Sequence, residues 1–570
     1  MTKLKISELR AIFVQVFSDA EDWFTEGKEI SRFIFPKRGK FDSLSPIKKK
    51  QNQRADVINP AAVDAFAVLT SGLHGRLTGQ YRHWCQLDFL ASRAKQNKIL
   101  TNWLYSCQKK LHSAWRVSNF YEAMPSLYTE CSGFGTSALH IADSSEYFFS
   151  FSPMTFGEFV FTVDSNGRLD MFFRIMDLTL RQLEMVYGRD ALPESMQENL
   201  KANKAFINTT TYRVVNAIYK ENYFDKPIKS VHFFEGSTSN VKNSGEINSF
   251  VSEYPERPLK VAGYYDYPVI APRWETVGTY PMGMSLGSDV LQLVKRLQEM
   301  EKSFMKATHK AVDPPYNVPS RLRDTVSLLP GAYNFTSNPD HKIEPIINSG
   351  FEYTGVSAAA ERVERAIQKL CYNDVFLTAM RDPNASPLKA RQIDNHEDEG
   401  IMRLGPIVGR FNREGLAPLV IRCFNSMYRR NLFDPIDPAL LQQAGGLSVT
   451  LIGPLAQMQK LIEVRSIQTF FNFLGGIVPF DDKARDKISI DRTVDEVADM
   501  TGVPTVILST DDELKINRDN RAAAEKERRD QEKAILASKL KSESMAANAS
   551  AAKDYAAAGT DISTIMGASQ

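Results

Sequence analysis

The residues best suited to chemistry in this sequence fall into four groups, and none of them closes into an active site. Gly283-Met284-Ser285-Leu286-Gly287-Ser288 has the outline of a phosphate loop, in which backbone amides cradle phosphate and a lysine neutralises it. It is one spacer residue short and lacks the lysine, so it fails as a nucleotide loop. His396-Glu397-Asp398-Glu399-Gly400 opens like a zinc-protease helix, whose two histidines share one face four residues apart. Gly400 stands where the second histidine belongs, which leaves Asp394, His396, Glu397 and Asp398 as a loose ligand set or a solvated acidic loop. Cys131 lies near His140 in the chain, but a cysteine is more often core than nucleophile, and core is expected here. Lys37, Arg38, Lys40, Lys48, Lys49, Lys50 and Arg54 make a basic loop that either touches phosphate or is simply solvated. The expectation is a protein that is not an enzyme and uses no cofactor and no metal.

The elements that carry these residues are organised around one long helix. From Leu286 to Val312, apolar residues fall at Leu286, Val290, Leu293, Leu297, Met300, Phe304, Ala307 and Ala311. The steps alternate four and three, which is the seam of a rod packed on other helices. Asp289 in the first turn and His309 and Lys310 in the last suit the helix dipole. Asp313-Pro314-Pro315 ends the rod, because proline lacks the amide hydrogen and clashes with the turn before it. At about 1.5 Å per residue it is roughly 40 Å long. Val290, Leu293, Leu297, Met300 and Phe304 are its packing residues. Lys295, Lys302 and Lys306 recur on the opposite side with Glu299 between them, either a solvated face or one turned toward a lumen.

Before the rod, helices are expected over 6–26, over 60–77 (broken after Gly72, Gly75 and Gly79), around Trp103 to Trp115, and from Tyr121 into Cys131. Short β-prone runs then follow from Ser137 to Tyr265, with Asp164-Ser165-Asn166-Gly167 as a hairpin turn. After the rod come strand-like pieces at 316–318 and 343–346, a second long helix over 357–380, and a polar loop over 381–399. A helix over 401–430, interrupted near Pro418, precedes a strand at 447–452 and helical segments beyond it. The tail from about Asn517 is charged and helical, then rich in alanine and serine, and is expected to pack poorly. The fold class is α+β and helix-rich.

Composition narrows the function. A chain of 570 residues has room for three or four domains, and 43% hydrophobic with 24% charged residues describes an ordinary folding protein. A net charge of +2 is too small for a dedicated nucleic-acid binder. Five scattered cysteines without a CxxC pair fit a reducing compartment and not a disulfide or zinc framework. With no signal pattern and no long apolar run, the expected setting is cytosolic, without a membrane partner.

Short motifs strung along the chain resemble those of the portal, or head-to-tail connector, proteins of short-tailed, T7-like bacteriophages. They begin with the alanine-rich helix Asn59 to Leu77, leading to Arg82-His83-Trp84-Cys85-Gln86-Leu87. Val117-Ser118-Asn119-Phe120, Gly133-Phe134-Gly135-Thr136, Tyr267-Pro268 and Pro272-Arg273-Trp274 follow. Ala311-Val312-Asp313-Pro314-Pro315, Leu404-Gly405-Pro406 and Glu414-Gly415-Leu416-Ala417-Pro418-Leu419 come next, and then Gly453-Pro454-Leu455-Ala456-Gln457-Met458-Gln459 and Thr501-Gly502-Val503-Pro504. The likeness spans about Trp23 to Asn520.

The resemblance implies a portal fold assembled as a ring. Residues 1–284 would be an α+β wing, 285–312 and 355–380 the two stem helices, and 313–354 a small α/β clip. Residues 381–400 would be the tunnel loop, 401–450 a long helix and strand joining wing to crown, and 451–520 a helical crown. Residues 521–570 would be an extension, either a barrel or loosely ordered. It also implies a homo-oligomeric ring of about a dozen subunits at a capsid vertex of the virion, assembled in the host cytoplasm. Double-stranded DNA would pass through it, terminase and then tail adaptor and tail proteins would dock on the clip, and capsid and scaffolding proteins would surround it. The alternatives are a structural tail or adaptor ring without a DNA role, or a DNA-translocating ATPase ring. Arg381, Lys389 and Arg391 are the residues that would face DNA from the tunnel loop, unless they pair with Asp382, Asp394 or Glu397.

Overall fold

The computed structural model describes residues 4–37, 57–81, 83–91, 97–202, 211–235, 256–313, 315–317, 327, 344–345, 353–377, 403–442, 445–452, 466–473 and 511–557, with 491, 493, 494 and 497. The chain opens with helices α1 (Ile6–Asp19), α2 (Glu21–Phe33) and α3 (Ala61–Leu77), then strand β1 (Cys85–Phe89) and helices α4 (Lys98–Val117) and α5 (Phe120–Phe134). Strands β2 (Ala138–Asp143), β3 (Phe149–Met154), β4 (Phe159–Val163) and β5 (Leu169–Thr179) lead to the short helices α6 (Leu180–Tyr187) and α7 (Glu194–Lys201). Strands β6 (Thr211–Tyr223), β7 (Lys226–Phe234), β8 (Lys260–Tyr264) and β9 (Val269–Ile270) precede the rod, α8 (Leu286–Val312). Beyond it lie β10 (Tyr316–Asn317), β11 (Glu344–Pro345), α9 (Tyr353–Leu370) and α10 (Asn373–Leu377). A helix from 403 passes through a π turn at Asn412–Leu416 into α11 (Ala417–Arg429), before α12 (Pro438–Gln442), β12 (Leu447–Leu451) and the terminal helix α13 (Asp511–Ala557).

The protein is helix-rich with antiparallel sheets, the α+β class expected from the sequence. The largest sheet runs β4-β5-β6-β7-β8, each strand antiparallel to the next, with the Asp164–Gly167 hairpin at one end. A second sheet runs β3-β2-β9, and β1 pairs with the distant β12. The strand-like pieces after the rod pair as β10 and β11, Tyr316 opposite Pro345 and Asn317 opposite Glu344. One continuous core joins α1, α3, α4, α5, the rod, α9 and α11 to the sheets, centred on the stacked rings of Trp84, Trp115 and Phe120. Aromatic side chains bury the most area per residue, so such a stack is an economical centre.

Two expectations are corrected and a third holds. The first helix is two, divided at Ala20, so that Phe17 and Phe24 fold back on each other at 5.2 Å. The helix expected over 60–77 is α3, which runs through Gly72 and Gly75 to Leu77. Gly72 is there because Phe376 packs where its Cβ would be. The second long helix stops at Leu370, where Tyr372 takes φ 56° and α10 starts a new course. The tail is helical from Asp511 to Ala557 and its described side chains are almost all exposed, in keeping with the expected poor packing.

Candidate functional site

The rod is half core and half projection. Ser285 caps it, its Oγ accepting the Ser288 amide at 2.8 Å. Val290, Val294 and Leu297 are fully buried, and Leu291 nearly so. Leu293 and Met300 are half-buried against the same core, and Phe304 is partly exposed. Leu291 and Val294 were no part of the anticipated seam, yet they lie deeper than Leu293. The cause is that α2, α5 and α9 all pack on the rod, and three neighbours cover a wider arc than a coiled-coil partner does. From Lys302 onward Ser303, Met305, Lys306, His309, Lys310 and Val312 stand in solvent.

The three lysines differ in their surroundings. Lys295 reaches to α2, with Nζ 2.6 Å from Glu29 and 6.0 Å from the Phe33 ring. Lys302 pairs with Glu299 at 3.9 Å, both largely exposed, a contact worth under about 1 kcal/mol. Lys306 is exposed. Arg381, Lys389 and Arg391, the His396 group and most of 313–354 lie outside the described residues.

One asparagine ties the two long helices together. Gln298, buried on the rod, accepts the amides of Ile58 (2.7 Å) and Asn59 (2.9 Å) and donates to the Asn59 carbonyl (2.8 Å). The Asn59 amide donates in turn to Glu301 on the rod (3.1 Å) and Glu364 on α9 (2.6 Å), while its Oδ1 accepts the Ala61 amide at the start of α3 (2.9 Å). The start of α3 is thereby clamped between the rod and its return helix, with each polar group satisfied.

A second cluster forms where the rod begins. Arg273 donates through Nε (3.0 Å) and Nη2 (2.8 Å) to Glu414, its backbone amide donates to the same carboxylate (3.2 Å), and Nη2 also reaches the Gly167 carbonyl (2.8 Å). The Arg273 side chain is buried and that of Glu414 is mostly covered, 7% and 14% exposed. Glu414 lies in the π turn, whose following Pro418 lacks the amide hydrogen that would bond the Glu414 carbonyl in an α turn. Arg410 donates to the Trp274 carbonyl (2.9 Å), and the Gly283 amide donates to Thr136 Oγ1 (2.8 Å). Gly135, at φ 80°, has the Gly283 backbone where a Cβ would stand, so only glycine fits. The would-be phosphate loop is thus consumed as the start and cap of the rod.

The cysteines are chemically quiet. Cys131 is buried and its thiol faces the Pro272 carbonyl, and burial pushes its pKa up. Cys85 Sγ lies 3.8 Å from His112 Nε2, but burial raises the thiol far above its usual range and depresses the imidazole to about 4. Both are neutral near pH 7, so neither thiolate nor imidazolium is present.

The sequence pattern of one family, the bacteriophage head to tail connecting proteins, matches residues 7–508. The chain belongs to this family. It is 26% identical over 507 residues to the portal protein of Salmonella phage epsilon15, covering 87% of each chain. It is also 24% identical over 516 residues to the probable portal protein of Bordetella phage BPP-1, covering 89% of each. The resemblance to phage portal proteins, drawn from short motifs, therefore holds over most of the chain, which is a phage portal protein.

The structure gives those motifs a common place in this portal chain. Gly133–Thr136, Pro272–Trp274, Gly283 and Glu414–Pro418 meet in the single cluster at the base of the rod. Asn119 and Trp84 hold the sheet side, Asn119 bonding the Phe151 backbone in both directions (2.7 and 2.8 Å). Sequence reasoning quoted Arg273 and Glu414 without pairing them, since they are 141 positions apart. Gln298 had a legible signal, a polar residue in phase with the buried arc of the rod.

Proposed function

We propose that copies of this chain form a closed ring of about twelve subunits at one vertex of the phage capsid, and that double-stranded DNA passes through its bore during packaging and ejection. The observation that carries this is the division of the rod. Its first half is fixed in the core of its own subunit, while in its second half Lys302, Ser303, Met305, Lys306, His309, Lys310 and Val312 stand exposed. A helix held rigidly at its base and bare at its end is suited to stand beside identical neighbours around an axis. Helices about 9–10 Å apart around a hole wide enough for duplex DNA must number ten or more.

In this reading the rod and α9 are the stem, 313–354 the clip that receives terminase and afterwards tail adaptors, and 381–400 the loop nearest DNA. Arg381, Lys389 and Arg391, with Lys302 and Lys306, would supply weak phosphate contacts repeated around the ring. A conduit needs such contacts loose, because each phosphate held tightly adds salt-dependent affinity that would stall the cargo. The role is structural. Scaffolding and capsid proteins would meet the wing, and assembly would take place in the host cytoplasm before the ring becomes part of the virion. Averaged electron-microscope images of the purified full chain test the proposal. An open-bored ring is expected; a compact single-copy particle without a through-hole refutes it.

A further inference from the structure

The buried part of the two long helices ends at one level. On the rod, Leu297 and Gln298 are buried, and no side chain described between 301 and 312 is. On α9, Val363 and Ile367 are buried, and no side chain described between 355 and 362 is. The core therefore stops near Gln298 on one helix and Val363 on the other. That is the level at which Asn59 bridges them, through Gln298 and Glu301 on the rod and Glu364 on α9.

Asn59 spends every polar group it has on this bridge. Its backbone amide and carbonyl both bond to Gln298, its Nδ2 donates to Glu301 and Glu364, and its Oδ1 accepts the Ala61 amide. An asparagine side chain offers two N–H donors and no charge, so a single nitrogen serves one carboxylate from each helix. The two acceptor oxygens, 3.1 and 2.6 Å from that nitrogen, stand less than about 6 Å apart. Among the described residues neither Glu301 nor Glu364 has an ion pair, and the cations beside them in sequence turn elsewhere, Lys302 to Glu299 and Arg365 to Glu361. Like charges at that distance repel, more strongly beside a core than in water. The Asn59 amide offsets the repulsion, and a carboxylate of nearly the same size in its place would add to it.

We propose that Asn59 is the positioning residue of the stem: it fixes the spacing of the rod and α9 where their core ends, and releasing it lets both helices part from that level outward. This goes beyond the ring reading and does not depend on it, because every contact lies within one chain. Asn59 and Pro60 lead directly into α3, so a shift of α3 against the rod would change the spacing of the stem.

Hydrogen–deuterium exchange of the full chain, read by mass spectrometry, is the test. In Asn59→Asp, peptides from 298–308 of the rod and 357–366 of α9 should exchange about tenfold faster, as two hydrogen bonds to charged groups are lost, while those of α5 stay unchanged. The acceleration should shrink about threefold or more between roughly 0.05 and 0.5 M salt, as the charges are screened. Adding Glu301→Gln and Glu364→Gln to Asn59→Asp reverses each donor and acceptor, and should bring exchange back to within about twofold of the parent. A residue that only fills space would not be rescued in this way. Where Asn59→Asp yields no folded protein, Glu301→Gln/Glu364→Gln by itself decides, because it keeps both acceptors and removes both charges. The same peptides should then exchange more slowly than in the parent at roughly 0.05 M salt and alike at roughly 0.5 M. Unchanged exchange in Asn59→Asp, an acceleration shared equally by α5, a triple variant that is not restored, or a glutamine pair that slows nothing would each overturn the proposal.

Discussion

Replacing Arg273 with Met probes the cluster at the base of the rod most directly. Arg273 makes three side-chain hydrogen bonds, two to Glu414 and one to the Gly167 carbonyl, and it is 7% exposed in its side chain. Removing it leaves Glu414, itself 14% exposed, with the backbone amide of residue 273 and, as the nearest described cation, the exposed Arg413 at 4.0 Å. Breaking one partner of a buried pair costs about 3–5 kcal/mol. With an unfolding entropy near 2 cal/mol/K per residue, that lowers the melting midpoint by roughly 3–6 °C, depending on how much of the chain unfolds with the cluster. Glu414→Met should cost a similar amount. The double variant should cost clearly less than the two losses added, since no buried charge is left unpaired, and a coupling of about 1–3 kcal/mol is expected from such a cycle. Differential scanning calorimetry on all four proteins measures it. Losses that simply add to within about 0.5 kcal/mol would show that the pair is not the link holding the π turn to the start of the rod.

Leu297→Asp should abolish soluble expression, because Leu297 is fully buried within its own subunit and an isolated charge there is prohibitive. Lys306→Glu, at an exposed site, should change stability by less than about 0.5 kcal/mol; soluble Leu297→Asp protein would show that the residue is not core. Gly72→Val should lower the melting midpoint by overpacking against Phe376, at a cost of about 1–3 kcal/mol, and an unchanged midpoint would refute the close packing. Acid should destabilise the fold before the carboxylates titrate. The unfolded His112 ring takes up a proton near pH 6.5, but the folded one only near 4. Stability is therefore intact above about 6.5 and is lost as pH falls toward 4, by about 2 kcal/mol at pH 5. His112→Asn should flatten that part of the pH profile. Within the portal reading, Lys389→Glu with Arg391→Glu should leave rings intact in electron micrographs and slow DNA packaging; unchanged packaging would remove the loop from the DNA path.

Local pattern told most about the elements that are regular and bounded by strong signals. The rod could be placed from Leu286 to Val312 because an unbroken four-three periodicity, with charges that suit the helix dipole, runs into two prolines. The places of β10 and β11 and of several strands before the rod followed from β-prone runs and one hairpin turn, while their pairing is a finding of the fold. Breaks at Ala20 and Leu370 were hidden, because each is set by what the next helix must pack against and not by a proline at the break.

The sequence by itself determined that this chain is an α+β, helix-rich protein built on a long rod, and its ordered motifs identified the portal family. The tertiary structure alone decided why those motifs matter: residues as far apart as Gly135, Arg273, Gly283 and Glu414 share one cluster, and the first half of the rod is core while the second is largely exposed. Periodicity shows which residues on a helix face the same way. It does not show how many neighbours that face meets, nor which distant charge completes a buried pair, because both depend on contacts between segments that no local pattern encodes.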